Sequence, residues 1–162
     1  MADWEVRRAR AADLPAVQAL QEGLRREHVP LDERYRLADD VAARFAADLR
    51  AWVRSDADRI FVADVGADGI VGIAIAHLAW PAPIYLQRLM VWVDDLYVVP
   101  SWRRRGVGQE LLDALREWGA AAGAEDLRAG VLSANQLGRR FWSAAGGSDY
   151  SVTVALPLPP EE

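Results

Sequence analysis

The 162-residue sequence predicts an α/β domain, a mixed central sheet of about six or seven strands with about four helices. Three observations predict it. Apolar segments with a two-residue period alternate with segments whose apolar residues recur every three or four positions. Two early strands flank Gly66-Ala67-Asp68-Gly69, a hairpin turn by composition, which gives the sheet an antiparallel start. Later a strand, a helix and a strand follow one another, the order of a parallel right-handed crossover.

Residues 4–9, Trp4-Glu5-Val6-Arg7-Arg8-Ala9, read as the first strand. Asp13 is the expected N-cap of a first helix, with Pro15 tolerated in its first turn and Leu14, Val17, Leu20 and Leu24 on its buried face. Residues 28–36 are polar, contain Pro30 and form a connection. A second helix is expected near 39–54, with Asp39 or Asp40 at its start and Val41, Phe45, Leu49 and Trp52 on one face. Ile60 to Val65 is a strand. Ile70 to Leu78 returns apolar on both faces, as a central strand does, and His77 stands at its end. Residues 80–88 carry Pro81 and Pro83 and form a loop.

The next strand runs from about Met90 to Val99 and stops at Pro100, which has no N–H for a ladder. A helix follows with Val107, Leu111, Leu115, Trp118 and Ala122 on one face, and Gly123 closes it. Leu127 to Leu132 is a strand. Ser133-Ala134-Asn135 opens a last helix with Leu137, Phe141 and Ala145 inward, and Gly146-Gly147 ends it. Tyr150 to Leu156 is the closing strand, and a Pro/Glu tail begins at about residue 157. No linker, repeat or low-complexity segment divides the chain, so residues 1–162 are read as a single domain.

Composition narrows the function. A hydrophobic content of 52% suits a packed core rather than disorder. No apolar run approaches the ~20 residues of a membrane span, and no signal peptide opens the chain. A cytoplasmic protein with no membrane partner is therefore expected. The absence of cysteine excludes disulfides, thiolate metal sites and a cysteine nucleophile. His28 and His77 stand far apart and offer no metal pair, so no metal is expected. All 19 basic residues are arginine, which excludes a lysine Schiff base. The net charge of −5 disfavours nucleic acid as a partner and mildly favours a cationic substrate.

The run from Val93 to Leu112 organises the rest. Its centre is Arg103-Arg104-Arg105-Gly106-Val107-Gly108. Positions 102 to 106 hold no Ser, Thr, Asp or Asn to cap the helix, yet its first N–H groups need acceptors. Three cations at the positive end of a helix dipole are unfavourable unless an anion binds there. Two glycines in one turn cost about 1 kcal/mol each relative to alanine, and they remove the Cβ atoms that would keep a phosphate away. A dinucleotide fingerprint would need a third glycine where Leu111 stands.

This stretch resembles the acyl-CoA loop of the GNAT superfamily of acetyl-CoA-dependent N-acetyltransferases. The family pattern is Gln/Arg-x-x-Gly-x-Gly/Ala, which Arg103 to Gly108 match in full, and Leu96-Tyr97-Val98-Val99-Pro100 extends the likeness upstream. The order of elements fits the family across nearly the whole chain. A second signature is present in weakened form: Asn135, Phe141 and Gly146 stand in register, while Trp142 replaces a tyrosine and Gly147 a phenylalanine. The resemblance implies the GNAT (acyl-CoA N-acyltransferase) fold. It implies direct transfer of an acetyl group, in a ternary complex, from the cosubstrate acetyl-CoA to a primary amine of a small molecule or peptide. The implied CoA site comprises Leu96, Tyr97, Val98, Arg103, Arg104, Arg105, Gly106, Val107, Gly108, Gln109, Asn135, Phe141 and Trp142. Loop amides would hold the pyrophosphate and Asn135 would orient the pantetheine arm. Backbone N–H groups of the key strand would polarise the acetyl carbonyl where that strand splays from its parallel neighbour. Arg34, Tyr35 and Arg36 join the first two helices, at a wall of the family's acceptor site. Relatives often dimerise, and a homodimer is expected.

Asp94 and Asp95 lie in a strand that should be central, where carboxylates are rare. Adjacent strand residues face opposite sides, so the two are expected to do different jobs. Asp94 is read as the base, acting through water, because it aligns with an acidic residue of polyamine-acetylating relatives. Asp95 is read as anchoring the amine or its backbone surroundings. The alternative for each is an ion pair, with Arg88 or Arg128. His77 is held in reserve. Trp142 has only an indole N–H and cannot act as the acid. Tyr150, Ser143 or solvent remains, and a thiolate can leave without one. Trp142 either fills core beside Phe141 or stacks on CoA. The competing function is a non-catalytic acyl-CoA sensor or partner-binding module, which would have no need of the paired aspartates.

Overall fold

The structure, a computed structural model, describes residues 3–161. Five strands pair in the order β1-β2-β3-β4-β5: β1 (Glu5–Arg8), β2 (Asp58–Asp64), β3 (Ile70–Ala79), β4 (Met90–Val98) and β5 (Asp126–Ala129). The first four run antiparallel to their neighbours, and β4 and β5 are parallel. The helices are α1 (Leu14–His28), α2 (Val41–Trp52), α3 (Val107–Ala121) and α4 (Gln136–Ala144).

The apolar patterns explain this arrangement. β3 is buried on both faces from Val71 to Ala76 and lies at the centre of the sheet. On one side Val17 of α1 and Leu49 of α2 pack with Ile60, Val62, Ile73, Ile75 and Tyr97. On the other, Val107, Leu111 and Leu115 of α3 pack with Ala63, Ala74, Ala76, Val91 and Val93. The helical stripes visible in the sequence are these contacts. Gly119 lets α3 approach the sheet, since a Cβ there would lie 2.4 Å from Val91 Cγ2.

The structure corrects three expectations. Asp13 does not cap α1 with its side chain. Its carboxylate instead accepts from the Arg10 N–H at 2.7 Å and from the Arg7 guanidinium at 2.8 and 3.0 Å. These bonds, the one from Arg7 foremost, hold the Asp13 carboxyl below its usual range. The strand expected over Leu127 to Leu132 ends at Ala129. The closing strand expected from Tyr150 to Leu156 is unpaired, so the sheet has five strands among the described residues. Alternation makes a segment fit to be a strand, but only a neighbouring ladder makes it one. Among the described residues, no helix is long and apolar enough to cross a membrane.

Candidate active site

The site begins with a break in the sheet. β4 and β5 pair from Met90/Asp126 to Val93/Ala129 and then part. Beyond that point β4 continues for five residues, still paired to β3. At the parting, Ile75 lies opposite Asp95 and Ala76 opposite Val93, so Asp94 is an extra residue, a β-bulge. The bulge resets the side-chain alternation. Val91 and Val93 face α3, whereas Tyr97 packs on the α1–α2 side and Asp95 bonds to α1. Asp94 reaches His77 on that same side. The two aspartates therefore share one face rather than taking opposite ones.

The polar groups left along β4 follow from the antiparallel ladder. The Val99 N–H donates to Val71 O, so Asp95, Tyr97 and Val99 turn their backbone groups toward β3. Leu96 and Val98 turn theirs toward the split. The Val98 carbonyl is taken up by Arg103 Nε at 2.8 Å, which leaves the N–H groups of Leu96 and Val98 facing the opening.

The loop leads from this strand to α3. Gly106 occupies the N-cap position with φ +98°, and no side chain caps the helix. Among the described residues, no acceptor meets the main-chain N–H groups from Arg104 to Gln109. That row of donors at a helix N-terminus can accept an anion. The two glycines have different reasons. At Gly106 the backbone is left-handed, a conformation side chains resist, and the space around it is open. At Gly108 the constraint is packing, because a Cβ would lie 3.2 Å from Phe141 Cε2.

The three arginines also divide. Arg103 Nη2 donates to both oxygens of Glu27 at 2.8 and 2.9 Å, and its guanidinium lies 5.3 Å over the Tyr97 ring. It ties the loop to α1. Arg105 stacks on Trp102 at 4.6 Å and Arg104 is exposed with φ +61°. These two are the cations available to an anion. Tyr97 is buried and donates to Glu27 Oε1 at 3.2 Å. Burial raises its hydroxyl pKa, and the Glu27 charge adds to this.

Asn135 caps α4, its Oδ1 accepting from the Gly138 N–H at 2.9 Å. Phe141 wedges α4 against the start of α3, and Trp142 packs edge-on to it at 5.5 Å and against the α3-side core. That is the core-filling arrangement. Tyr150 is 73% exposed, its ring 4.3 Å from the Arg128 guanidinium. In the α1–α2 connection Arg34 closes on Asp32, and Tyr35 lies against His28.

The acidic residues of β4 have distinct partners. Asp95 is 1% exposed; Arg25 Nη1 donates to one oxygen at 2.5 Å and Gln21 Nε2 to the other at 3.0 Å. Its ion pair is with Arg25 of α1, not with Arg88 or Arg128, which pair with Glu125 and Asp126. Asp94 keeps a third of its side chain exposed. His77 bridges it to Asp58: Nε2–H donates to Asp94 Oδ2 and Nδ1–H to Asp58 Oδ1, each at 2.5 Å. Trp52 of α2 packs edge-on to the imidazole at 4.8 Å. The bond to Asp94, aided by that to Asp58 and opposed by burial, pushes the His77 pKa up to about 9. His77 is thus an imidazolium at neutral pH and has no lone pair to offer as a base there. Among the described residues, Asp94 Oδ1 has no protein partner.

Asp58 and Glu27 are absent from the residues the sequence singles out, and Trp52 is marked there only as part of the second helix's apolar face. Asp58 joins His77 only through the β2–β3 register, and no local pattern marks it.

A split parallel pair, an uncapped glycine-rich helix start and a bulged strand between them agree with the family match. The model of the acetyltransferase (GNAT) family matches residues 17–146, and the chain belongs to that family. Among solved structures, the fold is similar to the F44R mutant of the BH1408 protein from Bacillus halodurans. That pair is 22% identical with a TM-score of 0.84, covering 96% of this chain and 99% of the other. It is also similar to the aminoglycoside N-acetyltransferase AAC(6')-Iy in complex with a bisubstrate analogue, CoA-S-monomethyl-acetylneamine. There the identity is 21% and the TM-score 0.75, over 97% of this chain and 99% of the other. A curated relative, aminoglycoside N(6')-acetyltransferase type 1 of Salmonella typhimurium, is 28% identical over 57 residues. The match spans 35% of this chain and 39% of that protein.

Proposed function

We propose that the protein transfers an acetyl group from acetyl-CoA to a primary amine of a small molecule or peptide, with Asp94 receiving the proton the amine must lose. The observation that carries this reading is the juxtaposition at the split: strand N–H groups facing the opening, and a bulged carboxylate with one free oxygen at its inner end.

The residues present fit acetyl-CoA. The N–H groups from Arg104 to Gln109, with Arg104 and Arg105, suit its phosphates, and the N–H groups of Leu96 and Val98 suit its amide arm and acetyl carbonyl. When bound, acetyl-CoA supplies an activated acyl group on a good leaving group. The chain does the rest. The cradle holds the anion, the split orients the reactive end, and the charged His77 fixes the Asp94 carboxylate so that Oδ1 faces outward. An acceptor arrives as an ammonium ion, which the Asp58–His77–Asp94 array, net negative, attracts. Asp94 takes the proton through water. Asp95 holds β4 to α1 and keeps the bulge in place. The chain is similar to aminoglycoside N-acetyltransferases, and an acceptor bearing amines suits an anionic site of this kind.

Thiol release from acetyl-CoA with a panel of amines tests this reading. Asp94→Asn should lower turnover about 100-fold near neutral pH, the lower end expected for a positioned general base. The loss should shrink as pH rises and free amine becomes abundant. CoA affinity should be unchanged. Equal turnover of variant and wild type across the pH range would remove Asp94 from the chemistry, and no thiol release with any amine would remove the activity.

A further inference from the structure

The sheet face opposite α3 carries aromatic rings beside Asp94, and these speak to the body of the acceptor. Trp92 stands opposite His77 in the β3–β4 register and beside Arg128 in the β4–β5 register, so the three share one face. Leu127 and Ala129 pack on the α3 side, which sends Arg128 to the other face, where Asp94 meets His77. Trp92 is 41% exposed, and a Cβ at Gly130 would lie 3.9 Å from its Cζ2. Gly130 is the first residue beyond β5, so the indole lies beside the point where β4 and β5 part. Tyr150, exposed, lays its ring 4.3 Å from the Arg128 guanidinium, and Trp52 backs the His77 imidazole.

The charges on this face nearly cancel. Asp58, His77 and Asp94 together carry one negative charge at neutral pH. Arg128 is matched by Asp126 at 3.0 Å. Asp94 Oδ1 is the oxygen left to meet a cation, so one ammonium is balanced here and a second is not. Beyond that oxygen the surface is aromatic. Trp92 precedes Asp94 by two residues, about 7 Å along the strand, a span that a tether of about two carbons between ammonium and ring covers. Exposed rings favour a flat ring over an aliphatic chain, because aromatic pairs gain beyond the burial of area alone. We infer that the acceptor is a primary monoamine tethered to an aromatic ring, its ammonium meeting Asp94 and its ring stacking on Trp92 and Tyr150. The inference rests on the acetyl transfer proposed above. In that step the nitrogen–carbonyl bond forms and the thioester carbon–sulfur bond breaks. The ammonium proton passes to Asp94 through water, and the sulfur leaves as thiolate.

Thiol release from acetyl-CoA by the full chain, with phenylethylamine, butylamine and spermidine as acceptors, carries the test. The kcat/KM for phenylethylamine should exceed that for either of the others at least about 10-fold. Trp92→Ala should lower the ratio of phenylethylamine to butylamine about 10-fold through a higher KM, and Trp92→Phe should restore most of it. Tyr150→Ala should lower the same ratio, at a residue too exposed for its loss to unfold the chain. Phenylalaninamide carries the same tether next to a peptide unit. Whichever of it and phenylethylamine turns over faster names the source, a peptide N-terminus or a free amine. Butylamine or spermidine matching phenylethylamine would overturn the inference and leave the transfer itself standing, as would a ratio unchanged in both alanine variants. No thiol release with any amine would strike the transfer, and this inference with it.

Discussion

Substituting valine for Gly106 is expected to lower CoA affinity by about 100-fold or more, equivalent to about 2.7 kcal/mol, while the fold persists. The reason is conformational rather than steric. A Cβ at Gly106 would touch nothing within 4 Å, but φ there is +98°. A β-branched residue resists that region strongly, at a cost on the order of 1–3 kcal/mol. The loop relaxes by moving the peptide groups on either side, and these carry the N–H groups that form the cradle. The core stripe of α3 begins at Val107 and needs no left-handed residue. Calorimetric titration with CoA, alongside a thermal melt, checks both halves. Wild-type affinity in a folded Gly106→Val protein would contradict the assignment of the loop.

Asp95→Ala is expected to be the more damaging change to stability, by about 3 kcal/mol, the low end for breaking a buried ion pair because Arg25 keeps a quarter of its side chain exposed. The substitution strands Arg25 and Gln21 against the sheet and frees the β4 bulge from α1. Replacing both charges, with Asp95→Leu and Arg25→Met, should recover much of the loss, because the unpaired charge rather than the missing attraction dominates it. Urea denaturation at pH 7 measures each step. A single variant within about 1 kcal/mol of wild type would show that the pair does not hold β4 in place.

The loop could be read from the sequence because its signals are local. An uncapped helix start, adjacent glycines and clustered arginines lie within a few residues, and one helix turn brings them together. Even so, the sequence groups Arg103 with its neighbours, and only the fold shows it turned away toward Glu27, 76 positions earlier. The bulge at Asp94 leaves no trace in Val93-Asp94-Asp95-Leu96, because an extra residue in one strand is defined by its partner. Without it, period-two alternation sends the two aspartates to opposite faces. The Asp58–His77–Asp94 array is hidden for the same reason: three strands contribute one residue each, and their register decides the contact. The segment after Gly147 shows the converse. Its alternation is plain in the sequence, but a strand also needs a paired edge, and among the described residues it has none.

CoA is expected to lie in the β4–β5 split with its phosphates on the start of α3. Amide spectra of the ¹⁵N-labelled full chain, recorded as CoA is added, test it most directly. The largest shifts are expected on the N–H groups of Arg104 to Gln109 and of Leu96 and Val98. Saturating CoA that leaves those signals in place, or that moves instead the residues around the cavity walled by Leu112, Leu127 and Trp142, would contradict it.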